Sequence, residues 1–279
     1  MNTQKVIIKS WLYYRKSNAF IALAIAITTA VITGAFLVAD SITYSLEKTV
    51  SLRLGNITHT IDGRDRYFTP SLAQRITEKS SFPASAMLQT EASVQADPGR
   101  LSLPKIQLLG VDTLFRKINP SLPEIHPGEV TISENLAHRL NVQPGDYLLF
   151  HINRATIISL NTPFVSTENQ DIAKRLKINR IIGNNQMGRF SLLNVQSAPF
   201  NAFVSLPWLN TLMELEGKAN RILLSVNDSR AISTLTQTLE AVWCPEDLSL
   251  KTEPLNTEYG WQISSERVFF DQAHAQLVQ

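Results

Sequence analysis

The sequence predicts an α+β protein with one N-terminal transmembrane helix, extended as a stalk, and a large domain of βαβ units on a mixed sheet. The first observation is a stretch of 21 residues without charge, residues 19–39. The second is that short apolar strands and amphipathic helices follow it along the rest of the chain. The third is a β-α-β-α-β order in the last third, which indicates helices packed on a sheet.

The composition fits a folded body and gives no sign of a nucleic-acid partner. Of 279 residues, 44% are hydrophobic and 18% charged, which is too apolar for a disordered chain. The first 39 residues hold four of the 26 basic residues and none of the 24 acidic ones. The remaining 22 basic residues against 24 acidic ones leave residues 40–279 near neutral. Clustered Lys and Arg, which nucleic-acid binding requires, are therefore not visible.

The chain has a single cysteine, Cys244. One cysteine excludes an intrachain disulfide and a Cys-based metal cluster. Free cysteines are among the most buried residues, so we expect Cys244 to be a small core residue beside Trp243.

Residues 19–39 have the length of a membrane span. A hydrocarbon core of ~30 Å requires ~20 helical residues, and the hydroxyls of Thr28, Thr29 and Thr33 can bond back to the preceding turn. A buried helix of this length would show a polar face, and an amphipathic surface helix a charged one. A cleaved signal peptide, the main alternative, has a shorter apolar core and a small-x-small site. We therefore predict an uncleaved anchor in contact with membrane lipid.

The flanking charges predict the orientation of this span. Lys5, Lys9, Arg15 and Lys16 precede it, and Asp40 follows it directly. The positive-inside rule then places residues 1–18 in the cytoplasm and residues 40–279 outside it. Later apolar runs have the length of strands, so we expect a single crossing.

The helix is expected to continue beyond the span. Residues 41–54 contain no Gly or Pro, and Ile42, Leu46 and Val50 recur at i, i+4 and i+8. Gly55 is a candidate C′ residue. A helix from 19 to 54 would be roughly 54 Å long, leaving ~20 Å outside the hydrocarbon. We predict a stalk over residues 40–55; a separate amphipathic helix lying on the domain is the alternative.

The first half of the body is predicted to hold two strands and a βαβ-like unit. Thr69 and Pro70 start a helix at N-cap and N1, with Leu72, Ile76 and Lys79 on one face. Strands are predicted at 86–95 and 106–111 around a turn at 97–99, and at 130–132 and 147–152 around a turn at 144–146. Ser133 caps a helix between the last two strands, whose apolar face is Leu136, Ala137 and Leu140.

The second half begins with a segment of weak pattern and ends with clear alternation. Residues 171–177 are predicted helical, 180–183 the start of a strand, and 184–188 a loop. Strands are then predicted at 201–206, 221–226 and 248–252. The helices between them are residues 207–216, capped by Ser205 and stopped by Gly217, and a helix capped by Asp228 that carries Ile232, Leu235, Leu239 and Val242.

Motifs for catalysis or metal binding are not found. Residues 183–190 have the glycine spacing of a phosphate loop but lack its Lys and Ser/Thr, so a turn is predicted. The five histidines form no metal-ligand pair at i, i+4, and His138 is expected in solvent. No serine lies in a G-x-S-x-G elbow. We therefore predict no catalytic, cofactor-binding or metal-binding residues and no enzyme activity in this chain.

Four segments, in order, carry a family resemblance. The first is TGAFLVADS at residues 33–41, followed by Arg-Leu-Gly at 53–55. The second is VTISENLAHRLNVQPGD at 130–146. The third is NAFVSLP at 201–207 with NRILL at 220–224, and the fourth is ERVFFD at 266–271. Together they resemble the front part of an FtsX-like ABC transporter permease, whose exterior part is the MacB-like periplasmic core domain.

The resemblance implies a domain plan and partners. Residues 56–270 would be a periplasmic core domain of two subdomains, on the outer side of the cell inner membrane. Residues 271–279 would lead to a further membrane helix. It implies a homodimer or a pairing with a related permease, and a separate cytoplasmic ATPase subunit that performs ATP hydrolysis. The chain would relay ATP-driven motion to an export or envelope substrate, or an accessory protein. A stand-alone anchored envelope adaptor or scaffold is the alternative.

Overall fold

The computed structural model describes residues 3–63, 67–96, 101–153, 171–193, 197–215, 217–226, 231–248, 250–254 and 261–265. The chain divides into two compact units, Met1–Ser51 and Leu52–Gln279.

The N-terminal part of the chain is helical. Helix α1 spans Thr3–Tyr13, and α2 spans Arg15–Leu54, a length of 40 residues. Its most apolar window of 18 residues has a mean hydropathy of 2.4, and none of that window is buried. Thr28 and Thr29 donate to carbonyls one turn earlier at 2.8 Å, as expected for hydroxyls in an apolar helix. By length and composition α2 can cross a membrane, and it is one helix through to Leu54.

The body combines ten strands with five helices in the described residues. The strands are β1 His59–Asp62, β2 Ala84–Ala96, β3 Ser102–Val111, β4 Glu129–Ser133, β5 Tyr147–Asn153, β6 Asp171–Ile182, β7 Asn201–Ser205, β8 Arg221–Leu224, β9 Leu250–Pro254 and β10 Trp261–Ser265. The helices are α3 Ser71–Ser80, α4 Phe115–Ile118, α5 Glu134–Leu140, α6 Leu206–Met213 and α7 Ala231–Val242. Two 3₁₀ turns lie at Asn184–Gln186 and Pro245–Leu248.

Six strands close into a small mixed barrel. The sheet order is β1-β8-β2-β3-β7-β4-β6-β5, and β5 pairs again with β2. Strand β2 allows this because residues 84–87 pair with β8 whereas residues 92–96 pair with β5. The pairs β3–β7 and β4–β6 are parallel, and the others are antiparallel. The predicted α+β class with a mixed sheet is confirmed.

Two apolar clusters cover opposite faces of this sheet. Leu108 belongs to the larger cluster with the barrel-lining Phe150, and the adjacent Leu109 belongs to the smaller one with Phe190 and Phe203. Consecutive strand residues point to opposite faces, so this division follows from the two-residue period. Burying a side chain of this size contributes roughly 1.5–3 kcal/mol. Both faces of the sheet are therefore covered at the β3–β7 pair.

Most predicted elements are confirmed, with bounds that differ by a few residues. The clearest is the 129–153 region, where β4, α5 and β5 follow the predicted order and Leu136, Ala137 and Leu140 are buried. Cys244 is half-buried rather than a fully enclosed core residue. The turn at 97–99, Asp228 and the 266–271 segment lie outside the described residues.

Several predictions in detail are wrong. Residues 171–177 are not helical: they begin β6, because Ile172, Leu176 and Ile178 point inward between β4 and β5. Helix α6 ends at Met213 rather than near Gly217, since Glu214 already adopts φ +56°. Ile232 is 64% exposed, so the apolar face of α7 is formed without it.

The predicted caps are also wrong in their chemistry. Pro70 has helical backbone angles, φ −58° and ψ −25°, as expected at N1, but the Thr69 hydroxyl donates to Asp247 instead of capping the first turn, and Lys79 is exposed. The Ser133 hydroxyl does not cap α5; it accepts a hydrogen bond from the Asn201 amide at 3.0 Å. The side chains that the local pattern assigned to helix ends form hydrogen bonds with residues distant in the chain instead.

Candidate functional site

The end of the long helix is held by the body at the segment Leu52–Ile57, which we call the junction. Helix α2 ends at Leu54, and Gly55 follows with φ +56°. This left-handed conformation is the predicted C′ glycine, so the predicted helix end is confirmed. A Cβ on Gly55 would meet Asn119 Oδ1 at 2.3 Å and Met187 Sδ at 2.9 Å. Glycine is therefore required both by the backbone angle and by the close approach.

Asn119, at the end of α4, binds the chain just after the helix. Its Oδ1 accepts a hydrogen bond from the backbone N–H of Asn56 at 2.9 Å. The side-chain Nδ2 of Asn56 donates to the backbone carbonyl of Ile118, also at 2.9 Å. Asn119 is only 3% exposed, and Ile57 is buried in the smaller apolar cluster. The junction is thus fixed by two amide contacts and one apolar anchor.

The loop after β6 forms the floor of the junction. This is the segment with phosphate-loop spacing, and it places Met187, with φ +69°, beneath Gly55. The loop closes through hydrogen bonds from the Gln186 and Gly188 amides to the Gly183 carbonyl, at 3.0 and 3.1 Å. Gly188 leaves no space for a side chain, because a Cβ would meet the Gly183 carbonyl oxygen at 2.7 Å. Its glycines therefore serve a tight turn, as the sequence predicted.

Asn201 fastens that loop to the barrel. Its Nδ2 donates to the carbonyls of Gly188 at 3.2 Å and Phe190 at 2.9 Å, and the residue is fully buried. The sequence singled out residues 53–55 and 201–207 as family-like segments. It gave no signal that Asn119 or Met187 meets the helix end, because the contacts of Asn119 with Asn56 and of Met187 with Gly55 join residues more than 60 positions apart in the chain.

Two buried donors at the junction have no hydrogen-bond partner among the described residues. They are Asn119 Nδ2 and Arg53 Nε. A buried donor left unpaired costs about 1–3 kcal/mol. The hydrogen bonding of the junction is therefore incomplete in this conformation.

Away from the junction, Asp112 and His138 each contact groups of the body. Burial raises the pKa of Asp112, which accepts hydrogen bonds from Ser85 and from the amides of Ala86 and Phe115. His138 is exposed and lies 3.7 Å from Glu134 across one helical turn. Within the described ranges, no three His, Cys, Asp or Glu side chains gather as metal ligands. The expectation that this chain has no metal or catalytic site stays a prediction.

Comparison with known proteins gives structural similarity without sequence relatives. No protein-family model matches the chain, and no curated protein matches it. The structure is similar to the crystal structure of the periplasmic region of MacB from Actinobacillus actinomycetemcomitans. That match is 11% identical, has a TM-score of 0.41, and covers 63% of this chain and 74% of the other.

A second similar structure is the extracellular domain of the noncanonic ABC-type transporter YknZ from Gram-positive bacteria. Here the identity is 9% and the TM-score 0.43, over 71% of this chain and 90% of the other. These are extracytoplasmic parts of the kind that the sequence motifs indicated. The chain is thus similar, at low identity, to these two extracytoplasmic domains.

Proposed function

We propose that this chain is the N-terminal anchor and extracytoplasmic domain of an ABC transporter permease, which relays ATP-driven motion to an export or envelope substrate. The observation that carries the proposal is α2: 40 residues of helix with an uncharged, unburied apolar stretch, ending on an α+β body. The ordered family-like motifs support the permease class. ATP hydrolysis would belong to a separate cytoplasmic subunit.

In this proposal α2 is both anchor and stalk. Residues 19–39 cross the inner membrane, residues 1–18 stay in the cytoplasm with their four basic residues, and the body lies outside. A continuous helix is a stiff element, whereas a flexible linker would dissipate displacement. Movement of its cytoplasmic end would then reach the junction at Leu54–Gly55.

In this proposal the junction is the element that responds to movement of α2. Gly55, Asn56 and Asn119 fix the helix end in one arrangement, and the unpaired donors Arg53 Nε and Asn119 Nδ2 leave that arrangement incomplete. We propose that a second arrangement, favoured by the ATP-bound partner, pairs these donors. A relay requires such a two-state element, since a rigid contact alone biases no equilibrium.

We also propose the two-subdomain division that the resemblance implies. Strand β2 would belong to both subdomains, because its first half pairs with β8 and its second half with β5. The first half, with β1, β8, α3 and α7, would form the part nearer the membrane. The barrel strands β5 and β6 would belong to the inserted part.

Capture of the ATPase tests the permease assignment. A photo-crosslinking amino acid at Ser10 of the full chain, in its own cells, should capture a protein that carries a phosphate-binding loop. The same probe at the exposed body residue Thr236 is the control and should not. Repeated failure at Ser10 with stable membrane insertion would contradict the permease and favour the anchored adaptor.

The relay is tested on the purified complex with that ATPase. Asn119→Ala removes the acceptor for the Asn56 amide and should uncouple the body, so that ATP hydrolysis continues while substrate or partner stimulation is lost. Asn135→Ala is the control, because Asn135 donates to the Pro199 carbonyl at 3.0 Å away from the junction. Equal loss of stimulation in both variants would contradict the relay.

A further inference from the structure

Helix α1 is separate from the long helix that follows it. It ends at Tyr13, α2 begins at Arg15, and both belong to the compact unit that ends at Ser51. At the break, Asn18 Nδ2 donates to the Trp11 carbonyl at 3.4 Å. A side chain that inserts into the ladder of helix hydrogen bonds is a known cause of a kink. The break therefore allows α1 to leave the axis of α2.

One side of α1 is apolar and largely exposed. Four apolar side chains follow the i, i+1, i+4, i+5 spacing that places residues on one side of a helix. They are Ile7, Ile8, Trp11 and Leu12, and we call them the α1 face. Each is more than half exposed, and Trp11 is 65% exposed. A contiguous exposed apolar patch marks an interaction surface, either for a protein or for a membrane.

The charge of this part of the chain favours an anionic membrane surface. Residues 1–18 contain four basic residues and no acidic one. Lys9 borders the α1 face, because it lies one helical turn from Leu12, and Arg15 and Lys16 follow at the start of α2. Each basic residue near an anionic lipid surface strengthens binding about fivefold. Apolar side chains can then enter the lipid while the lysine ammonium groups reach the phosphates.

Aromatic residues indicate the same environment. Trp and Tyr are enriched where the hydrocarbon of a membrane meets water. Trp11, Tyr13 and Tyr14 lie just before the uncharged stretch at residues 19–39. The rings of Tyr13 and Tyr14 meet edge to face, with their centroids 4.9 Å apart. This composition favours the depth of the lipid headgroups, at the end of the span, over a position in free solution.

We propose that α1 lies along the cytoplasmic surface of the membrane as an interfacial helix that binds anionic phospholipid. The α1 face enters the boundary between headgroups and acyl chains, and Lys9 contacts the headgroup phosphates. Ser10 falls outside the α1 face and stays in water. The inference rests on the proposed function in one respect, that α2 is a membrane anchor, and it adds a lipid contact that the relay does not require.

The first test measures the depth of α1 in lipid. A nitroxide is attached at Leu12→Cys or at Ser10→Cys, each in the full chain with Cys244→Ser, in nanodiscs that contain phosphatidylglycerol. Paramagnetic resonance compares collisions with oxygen, which enters lipid, and with a polar nickel chelate, which stays in water. We expect the label at Leu12→Cys to meet mainly oxygen and the label at Ser10→Cys mainly the chelate. Equal ratios at the two positions would overturn the proposal.

A third label separates this inference from the anchor itself. Ala24→Cys lies within the uncharged stretch and should be shielded from the chelate in every lipid. If Ala24→Cys were open to the chelate, the anchor would fail, and the proposed function with it. If Ala24→Cys were shielded while Leu12→Cys was open, only the interfacial helix would be wrong. Shielding of Leu12→Cys from both reagents would show a protein partner on the α1 face and would also overturn the inference.

The second test disrupts the α1 face. With the label kept at Leu12→Cys, Ile8→Gln should shift the label toward water and raise its collisions with the chelate. Val6→Gln is the matched control and should leave them unchanged, because Val6 lies on the opposite side of the same helix. The two side chains are similarly exposed, Val6 at 49% and Ile8 at 58%. Equal effects of the two substitutions would contradict a face-specific contact.

The third test varies the charge of the lipid and of the helix. Shielding of Leu12→Cys should increase with the fraction of phosphatidylglycerol and be weakest in pure phosphatidylcholine. Lys9→Gln with Lys16→Gln should lower the ratio of inserted to free helix about 25-fold, or about fivefold for each lysine. Lys48→Gln with Lys105→Gln removes two exposed charges elsewhere and should not change this ratio. Insertion independent of phosphatidylglycerol, or equal in the two double variants, would overturn the proposed lipid match.

Discussion

Gly55 is the residue on which the end of the long helix depends. Gly55 and Gly217 have almost the same left-handed backbone, φ +56° and +57°. A Cβ at Gly217 would meet no described atom within 4 Å, whereas at Gly55 it would collide with Asn119. The pair therefore separates backbone strain from the contact at the junction.

We expect Gly55→Ala to be the more destabilising of the two substitutions. Each alanine incurs about 1–2 kcal/mol for the left-handed backbone. Gly55→Ala must also displace the Asn119 amide and should cost a further ~1–3 kcal/mol through its lost hydrogen bond. Urea unfolding of both variants measures the difference. Equal losses would show that the contact with Asn119 does not hold the junction.

Asp112 should make stability depend on pH. Burial raises its pKa above the ordinary 3.8, although hydrogen bonds from Ser85, Ala86 and Phe115 oppose the rise. The folded chain thus keeps this proton to a higher pH than the unfolded chain. Its contribution to the free energy of unfolding must fall as pH rises from 3.8 through the raised pKa, and stay level above it.

Substitution of Asp112 isolates that contribution. In Asp112→Asn the fall with pH should disappear, and stability at pH 7 should be about 1–3 kcal/mol lower because one amide oxygen replaces two acceptors. Glu91→Gln, at an exposed carboxylate, should keep the fall. Denaturant unfolding at a series of pH values measures this difference. If the free energy of unfolding of Asp112→Asn still fell with pH by the same amount, the fall could not be assigned to Asp112.

Among the elements, α3 is tied by an ion pair, Arg75 with Asp247, to the 3₁₀ turn that follows α7. The Asp247 side chain is fully buried and pairs with Arg75, which also donates from Nε to the Val242 carbonyl at 3.0 Å. Asp247 further accepts from the Thr69 hydroxyl and from the Cys244 amide. This cluster takes the Thr69 hydroxyl that the sequence assigned to the helix cap.

Breaking this pair from one side should be costly. Arg75→Met leaves a buried carboxylate without its cation, and we expect a loss of about 3–5 kcal/mol in the free energy of unfolding. The double variant Arg75→Met with Asp247→Leu removes the stranded charge and should recover much of that loss. A double variant no more stable than Arg75→Met would contradict a coupled pair.

Element type was predictable where the apolar period was clear. The β4-α5-β5 unit shows alternation in its strands and an i, i+1, i+4 apolar face in its helix, and the structure confirms all three. Strand β6 was predicted wrongly because Lys174 occupies the inward register between Ile172 and Leu176. That charge hides the two-residue period, while Ile172 and Leu176 mimic one helical turn.

At the scale of the molecule, closure of the barrel could not be predicted from local pattern. It depends on β2 pairing with β8 and then with β5 along one edge, which joins residues more than 50 positions apart. The junction also depends on long-range contacts. Gly55 could be predicted as a helix end from the sequence, whereas its contact with Asn119 depends on the tertiary fold. Long-range pairing is decided by packing, and no single segment encodes it.

The proposed function depends on one arrangement, in which α2 anchors the chain in a membrane and the body lies outside the cytoplasm. Single cysteines at Ser10 and at Thr236, each in a Cys244→Ser background, are treated with a membrane-impermeant maleimide in intact spheroplasts. We predict labelling of Thr236→Cys in intact spheroplasts and of Ser10→Cys only after lysis. Labelling of Ser10→Cys from outside, with Thr236→Cys protected until lysis, would contradict the account.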